Sequence, residues 1–384
     1  MLSMVNNIYV RFKSEPNFLI LILILLISSW HYRGVYDAYQ WSTGLSILAL
    51  VLIWSINSVS IILFLSYFVI GGIQIAKNAD FFLRLPTLDH EPWPTFALGL
   101  YASISCMLIG GFSILKSKTY KDILPGALKH FTLINAWYVI IGAAFEFGRL
   151  TEGVGISGFI AYASLNGSLI VAGLPFVDKK PQQLFVCIMA VLLSKSSIPF
   201  GMLAIWAALE IISLNKIKLK TLAFSVTGGI VALTLGFFTV GNTLFDSANR
   251  FYFYRILLRQ WRKDGLFFFG NGFGTFTSLA REVQIHDNFM VNKDSMHLLW
   301  NAHSDWLQIL IEGGFFSIFC AGIFALFSMY NLYKLQMKPH LISLILIMSC
   351  MLFSSPLRYF PSALFAGLIL FSWFNQSAEL SKPA

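Results

Sequence analysis

Charged side chains are scarce in this chain. Asp, Glu, Lys and Arg together make up 12% of its 384 residues, whereas soluble domains carry about 25%. Hydrophobic residues reach 57%, and the mean hydropathy is +0.71. A soluble globular protein is therefore excluded, and the composition predicts an all-α polytopic membrane protein. The sequence shows no separate soluble domain and no internal repeat.

Cysteines are few as well, and the metal-binding motif DxD is missing. The four cysteines lie in apolar segments without a CxxC spacing, at Cys106, Cys187, Cys320 and Cys350. They predict inert buried thiols rather than disulfides or a zinc site. No DxD motif occurs, so we expect no metal ion and no cofactor. The nearest arrangement is Asp89-His90-Glu91, for which a metal site, an acceptor-binding feature and a solvated loop stay open.

Twelve apolar segments are predicted to cross the membrane, several of them shorter than the usual length of about 20 residues. Their approximate bounds are 17–30, 41–56, 58–76, 95–115, 127–147, 156–176, 182–194, 197–214, 221–241, 305–330, 341–355 and 357–374. The apolar run of the first segment, Phe18 to Ile27, is followed by Trp30-His31-Tyr32-Arg33 rather than by a small-residue cleavage site. We therefore interpret it as an uncleaved anchor.

Lysine and arginine residues set the predicted orientation. With a cytoplasmic N-terminus, fourteen of the 27 cations fall in short cytoplasmic segments and seven in one long outer loop, residues 242–302. Cations in long translocated loops have little influence on orientation. The comparison is therefore between fourteen cytoplasmic cations and the remaining six on the outer side. Both chain termini are then cytoplasmic. The turn Ser194-Lys195-Ser196-Ser197 lies at the outer face, where Lys195 either binds an anion or snorkels to the lipid headgroups.

The outer loop begins with a predicted helix, residues 249–263, in which Arg255, Arg259 and Arg262 form one basic face. Apolar side chains supply its other contacts, which is typical of a helix lying in the membrane interface. A glycine turn follows at Gly270-Asn271-Gly272-Phe273-Gly274, and glycine permits close backbone approach. No strand precedes this turn, so dinucleotide binding is rejected.

Polar residues open the next apolar segment. Asn301-Ala302-His303-Ser304-Asp305-Trp306-Leu307-Gln308 runs on to Glu312-Gly313-Gly314. Its histidine, aspartate, glutamine and glutamate each cost free energy in a membrane unless they are paired, solvated or used. A basic loop that leads directly into a polar helix mouth indicates a site for an anionic, lipid-borne substrate.

In order and spacing, these elements resemble the bacterial O-antigen ligase/polymerase family of membrane transferases. The matching positions are Arg250 at the opening of the loop helix, the glycine turn, His303 to Gln308, and Glu312-Gly313-Gly314. At the turn where the family usually carries arginine, this chain has Lys195. The resemblance covers about residues 182–325. It divides the chain into N-terminal transmembrane helices (1–181), a ligase/polymerase-like core (182–330) and C-terminal transmembrane helices (331–384).

The resemblance implies transfer of a glycan from undecaprenyl diphosphate to an acceptor hydroxyl, at the periplasmic side of the bacterial inner membrane. His303 would be the general base or would orient the acceptor, while Arg250 would stabilise the departing diphosphate. Lys195 and Arg255 would bind the same diphosphate. Sugar-contacting or helix-mouth roles are expected for Asp305, Gln308 and Glu312. The implied partners are the carrier-linked glycan, an acceptor glycan or lipid A-core, and membrane lipid, with no nucleic acid.

Alternatives stay open within and beyond this enzyme class. The lysine in place of arginine and the compact loop favour a polymerase slightly over a ligase. The main rival is a transporter of lipid-linked glycans, which twelve spans and a basic outer loop would also suit. Transporters usually show repeated halves and broken helices, and neither is evident in the sequence. A scaffolding protein would not need the polar residues around His303.

Overall fold

The computed structural model describes part of the chain. The described residues are 118–145, 163–214, 254–259, 261–262, 267–272, 276, 279–280, 291–292, 295–296, 302, 304–354, 356–358 and 360–373. The α-helices within them are Lys118–Phe145 (α1), Ala163–Gly173 (α2), Pro181–Leu193 (α3), Ser197–Leu214 (α4), Asp305–Lys334 (α5), Lys338–Phe353 (α6) and Phe360–Leu370 (α7). Short 3-10 helices, Leu174–Phe176 and Pro356–Arg358, follow α2 and α6.

The described residues are helical, as the sequence predicts, apart from one short β-hairpin. Its antiparallel strands are Val291–Asn292 (β1) and Ser295–Met296 (β2), with Val291 opposite Met296 and Asn292 opposite Ser295. The sequence predicts only short helices in this outer loop, so the hairpin was not predicted. Asparagine and serine, which flank the hairpin connection, are residue types that favour tight turns.

Predicted spans that fall on described residues coincide with helices. Helix α4 has the predicted bounds, 197–214, and α3 is displaced by one residue from 182–194. The predicted spans 127–147, 156–176, 305–330, 341–355 and 357–374 overlap α1, α2, α5, α6 and α7 in that order. The spans 17–30, 41–56, 58–76, 95–115 and 221–241 lie outside the described residues, so the count of twelve stays a prediction.

Among the described helices, two are long and apolar enough to cross a membrane. They are Leu124–Phe145, which is most of α1, and Asp305–Lys334, which is α5. Shorter apolar helices are Ala163–Phe176, Pro181–Leu193, Ser197–Ile212 and Lys338–Phe353. The length and composition of these helices fit a membrane protein, in agreement with the sequence.

Close helix packing surrounds a buried aliphatic core built mainly from α1, α2, α3, α6 and α7. Gly173 of α2 approaches α1 so closely that a Cβ would overlap a side chain there. A Cβ on Gly167 would stand 2.8 Å from the Ser194 hydroxyl oxygen. A buried hydrogen bond of 2.9 Å also joins Asn135 Nδ2 of α1 to Asn166 Oδ1 of α2. Small residues and interhelical amide bonds are the means by which helices associate in lipid.

One end of this helix bundle is ionic. Glu210 of α4 pairs with Lys179 at 2.5 Å and with Lys338 of α6 at 3.5 Å. Asp178 pairs with Lys129 of α1 at 2.5 Å. These three lysines are all predicted to be cytoplasmic. They meet at one end of the bundle, and the orientation of the bundle in the membrane stays a prediction.

The start of α5 lies at the opposite end. Helix α6 runs from Lys338, at the ionic end, to Phe353. Close to its last residue, Ser304 donates a hydrogen bond to the Met351 carbonyl at 3.1 Å. Helix α3 likewise runs away from the ionic end and finishes at the Ser194-Lys195 turn. The Lys195 turn and the start of α5 therefore share one end of the bundle.

The cysteines agree with the sequence prediction in part. Cys187 and Cys350 are buried free thiols, as expected, but Cys320 is exposed. The expectation of a buried thiol is wrong for Cys320, because the second half of α5 presents one face outward, including Leu326 and Tyr330. Cys106 lies outside the described residues.

Candidate functional site at the start of helix α5

Helix α5 begins with a side-chain cap. Ser304 has an extended backbone (φ −154°, ψ 115°), and its Oγ accepts a hydrogen bond from the Leu307 N–H at 3.2 Å. Serine suits this position because it satisfies an N–H that the first helical turn leaves unpaired. The same hydroxyl donates to the Met351 carbonyl at 3.1 Å. A serine directly before an apolar run is the sequence signature of such a cap, a signal that would have identified this residue.

Asp305 is buried and bonded to the turn that follows α6. Its Oδ2 accepts from the Leu357 N–H at 2.8 Å, and its own N–H donates to the Ser354 carbonyl at 3.2 Å. A carboxylate in the first turn also interacts favourably with the helix dipole. Asp305 thus occupies the helix mouth, which is one of its two expected roles. The other role, contact with a sugar, stays a prediction.

Gln308 and Glu312 form a buried pair one turn apart. Gln308 Nε2 donates to Glu312 Oε1 at 2.8 Å, and the Phe276 N–H donates to the same oxygen at 3.3 Å. The two residues are only 5% and 3% exposed, respectively. Within the described part of the chain, Gln308 Oε1 has no hydrogen-bond partner. The Glu312 carboxylate therefore links the loop around Phe276 to the first half of α5.

Helix α5 is broken at Gly314, which has φ 69° and ψ −174°. The break lies about 14 Å along the axis from Asp305, at 1.5 Å per residue. Before it, the Ile311 and Glu312 carbonyls accept from the Asn271 and Gly272 N–H groups at 3.0 and 2.8 Å. After it, the Phe315 and Phe316 N–H groups donate to the carbonyls of residues 267 and 268 at 2.8 and 3.1 Å. The sequence expectation of no broken helix is therefore wrong.

Two glycines allow the loop to enter this break. Gly270 and Gly314 both have positive φ, at 67° and 69°. A Cβ on Gly270 would stand 2.5 Å from the Gly314 nitrogen, and a Cβ on Gly314 would stand 2.5 Å from the Gly270 nitrogen. Such distances are incompatible with any side chain. The close backbone approach predicted for the glycine turn is confirmed at Gly270, and its partner is the second glycine of Glu312-Gly313-Gly314.

The arginine-bearing stretch of the outer loop packs against the first half of α5. Residues 254–259 and 261–262 are helical, as predicted for 249–263. Their buried side chains, Ile256, Leu257 and Trp261, share one apolar cluster with Ile311 and with the partly buried Leu307 and Leu310. Arg255, Arg259 and Arg262 are exposed on the other side. The predicted basic face is confirmed, and so is the apolar contact of Trp261, whereas Leu258, predicted to make an apolar contact as well, is exposed.

Lys195 occupies a turn with an uncommon backbone conformation. Its φ is 46°, and its N–H donates to the Leu192 carbonyl at 3.1 Å. Left-handed conformation is uncommon for a residue with a Cβ. The side chain is exposed, whereas the preceding Ser194 is buried and donates from its Oγ to the Val191 carbonyl at 2.7 Å. The turn is held by its own helix and by the close approach of Gly167.

The structure thus brings together only some of the predicted site residues. Asp305, Gln308 and Glu312 lie within two turns of one helix, with the helix that carries Arg255 packed beside them. Lys195 shares their end of the bundle. The predicted general base and its principal cation, His303 and Arg250, lie outside the described residues, as does Asp89-His90-Glu91. Ala302 and Ser304, on either side of the histidine in the sequence, are both buried.

Known proteins supply no further identification. No protein-family model matches this chain, and no curated protein matches it.

The Glu312 carboxylate is expected to hold this region together. Glu312→Leu removes the acceptor of Gln308 Nε2 and of the Phe276 N–H, so we expect a loss of about 2–4 kcal/mol in the free energy of unfolding. Glu312→Gln keeps an accepting oxygen and is expected to lose less than half as much. Denaturant unfolding of the purified variants in detergent measures both losses. Equal losses in the two variants would show that hydrogen bonding by this side chain contributes little.

Proposed function

We propose that this protein is a membrane glycosyltransferase that moves a glycan from undecaprenyl diphosphate to an acceptor hydroxyl, at the outer face of the bacterial inner membrane. The bond between the anomeric carbon and the diphosphate oxygen breaks, and the diphosphate leaves with the electron pair. A bond forms between that carbon and the acceptor oxygen, whose proton passes to His303. Arg250, Lys195 and Arg255 stabilise the charge on the diphosphate. The proposal includes no metal ion and no cofactor.

One observation carries this proposal. The arginine-bearing helix of the outer loop packs directly on the first, polar half of α5, through Leu257 and Trp261 against Ile311. The packing brings the helix that carries these arginines next to α5, with the arginines on its exposed side. A diphosphate leaving group needs fixed positive charge close to the proton acceptor for the acceptor hydroxyl.

The arrangement of the bundle ends gives further support. Lys195 lies at the same end as the start of α5, and the paired lysines of the ionic end lie at the other. In the proposed orientation, this end faces the membrane surface at which an anionic headgroup would lie. Lysine supplies a point charge without the bidentate fork of arginine, so Lys195 has an assisting role in the proposal.

Release of the carrier tests the proposal. We expect the purified protein, reconstituted in liposomes with a glycan-loaded undecaprenyl diphosphate and an acceptor, to produce free undecaprenyl diphosphate and an elongated acceptor in equal amounts. Both products are measured by mass spectrometry. Free carrier without elongated acceptor would indicate hydrolysis. Movement of the loaded lipid between leaflets with neither product would replace the proposal with a transporter.

A transporter of lipid-linked glycans is the second candidate, and the break in α5 is the observation that favours it. In many transporters, the ends of a broken helix are directed at the substrate or a coupling ion. Here the Ile311 and Glu312 carbonyls and the Phe315 and Phe316 N–H groups bond instead to residues 267–272. Because protein backbone occupies both ends of the break, we rank transport below transfer.

The acceptor separates the two enzyme branches. A polymerase adds the glycan to another carrier-linked repeat, and a ligase adds it to lipid A-core. We favour the polymerase because Lys195 replaces the usual arginine and the outer loop is compact. The lipopolysaccharide of a deletion strain tests this choice on a denaturing gel. Core capped with a single repeat indicates a polymerase, whereas bare core indicates a ligase.

A further inference from the structure

Two segments that meet at the break in α5 expose a continuous aromatic surface. We name it the aromatic ridge, and it consists of Phe267, Phe268, Phe269, Phe315, Phe316 and Phe319. Each residue is between 42% and 78% exposed. The rings contact one another across the two segments: Phe267 stacks on Phe315 at 5.7 Å between centroids, and Phe269 lies 6.5 Å from Phe316. Phe315 stacks in turn on Phe319 at 6.2 Å.

The ridge is fixed by backbone hydrogen bonds rather than by its own side chains. The Phe315 and Phe316 N–H groups donate to the Phe267 and Phe268 carbonyls at 2.8 and 3.1 Å. The four residues that carry most of the ridge therefore have their backbones joined in pairs. Because this backbone is already held in place, the ridge loses less conformational entropy on binding than a flexible segment would.

The helix that carries the arginines adjoins the ridge on one side. Phe267 contacts Trp261, with the ring centroids 5.0 Å apart. Trp261 belongs to the helical stretch whose exposed side carries Arg255, Arg259 and Arg262. The ridge thus adjoins the helix that carries the three arginines. This combination is complementary to an amphiphile with an anionic head and a long, unsaturated hydrocarbon chain.

We propose that the aromatic ridge docks the first isoprene units of the undecaprenyl diphosphate carrier, with the diphosphate directed at the arginine-bearing helix. The inference rests on the proposed function and adds the place where the lipid chain binds. Isoprene units carry methyl branches and double bonds, which pack against the faces of aromatic rings. The arginines donate charge-assisted hydrogen bonds to the diphosphate oxygens.

Photo-crosslinking tests the docking. Benzoylphenylalanine replaces Phe316 in one variant and Phe327, on the same helix beyond the ridge, in a control; these residues are 58% and 50% exposed. Both variants are placed in phosphatidylcholine nanodiscs with labelled undecaprenyl diphosphate. We expect labelling at position 316 to exceed labelling at 327 by about tenfold, and to be competed by unlabelled undecaprenyl diphosphate but not by phosphatidylglycerol. Equal labelling at both positions, or equal competition by phosphatidylglycerol, overturns the inference.

A binding measurement completes the test and separates its failure from that of the proposed function. Phe316→Ala combined with Phe319→Ala is expected to weaken undecaprenyl diphosphate binding about tenfold or more, whereas Phe327→Ala leaves it unchanged. Neither experiment requires turnover. Selective binding at the ridge without any glycan transfer would retain the docking site and remove the proposed function. Glycan transfer without selective binding would remove the docking site alone.

Discussion

Gly314→Ala is expected to abolish activity and to destabilise the protein by at least about 3 kcal/mol, and Gly270→Ala is expected to do the same. Each glycine has a positive φ, and Gly314 combines it with a ψ of −174°, a region that is essentially confined to glycine. An added Cβ would also overlap the backbone of the facing segment. The loop could then no longer pair with the ends of the broken helix.

Gly322, another glycine of α5, provides the control. A Cβ on Gly322 would meet nothing within 4 Å, so Gly322→Ala is expected to be neutral or to stabilise by up to about 1 kcal/mol, because alanine favours a helix. Denaturant unfolding in detergent and limited proteolysis of the outer loop measure the effects. If Gly314→Ala unfolds like Gly322→Ala, the close contact between the two segments does not contribute to the folded state.

Regular helices are the part of this fold that the sequence predicts well. Helix α4 has its predicted bounds and α3 lies within one residue of them, because an apolar run between lysines, or between a proline and a polar turn, determines both ends locally. The basic and apolar faces of the loop helix follow from 3.6-residue periodicity for the same reason. These features depend only on neighbours in the sequence.

The contacts that build the candidate site depend on residues far apart in the sequence. Glu312-Gly313-Gly314 lies inside an apolar run, and glycine is common in membrane helices, so nothing local marks Gly314 as a break. Its partner is Gly270 in another segment. Asp305 binds the Leu357 N–H, 52 residues away, and Glu312 binds the Phe276 N–H, 36 residues away. The sequence identifies these residues as unusual in a membrane, but their partners follow only from the fold.

The break in α5 explains why polar and glycine residues occur together in this segment. Unpaired backbone groups in lipid each cost several kcal/mol, so irregular backbone there must be buried against protein. The loop supplies those partners, and Glu312 adds a side-chain bond to the same loop. Insertion of the loop also fixes the arginine-bearing helix against α5. The glycine contact, the buried carboxylate and the position of the cations are therefore parts of one arrangement.

His303→Ala is expected to reduce the rate of glycan transfer about 10²- to 10⁴-fold, the usual contribution of a general base. Arg250→Ala is expected to reduce it about 10²- to 10³-fold, because the departing diphosphate loses a fixed positive charge. In both variants we expect kcat to fall more than the affinity for the loaded carrier changes. Carrier release by equal amounts of purified protein measures the rates, and binding of undecaprenyl diphosphate measures the affinity.

Two residues of the same loop provide matched controls. His297→Ala removes a histidine without a proposed role, and Arg281→Ala removes an arginine without one; both are expected to keep the rate within about threefold of the original, as for substitutions away from a site. Added imidazole is expected to restore part of the activity of His303→Ala, whereas a histidine with a purely structural role would show no such rescue. A His303→Ala protein that transfers glycan at the original rate would remove the imidazole from the mechanism, because no other group is assigned to accept the hydroxyl proton.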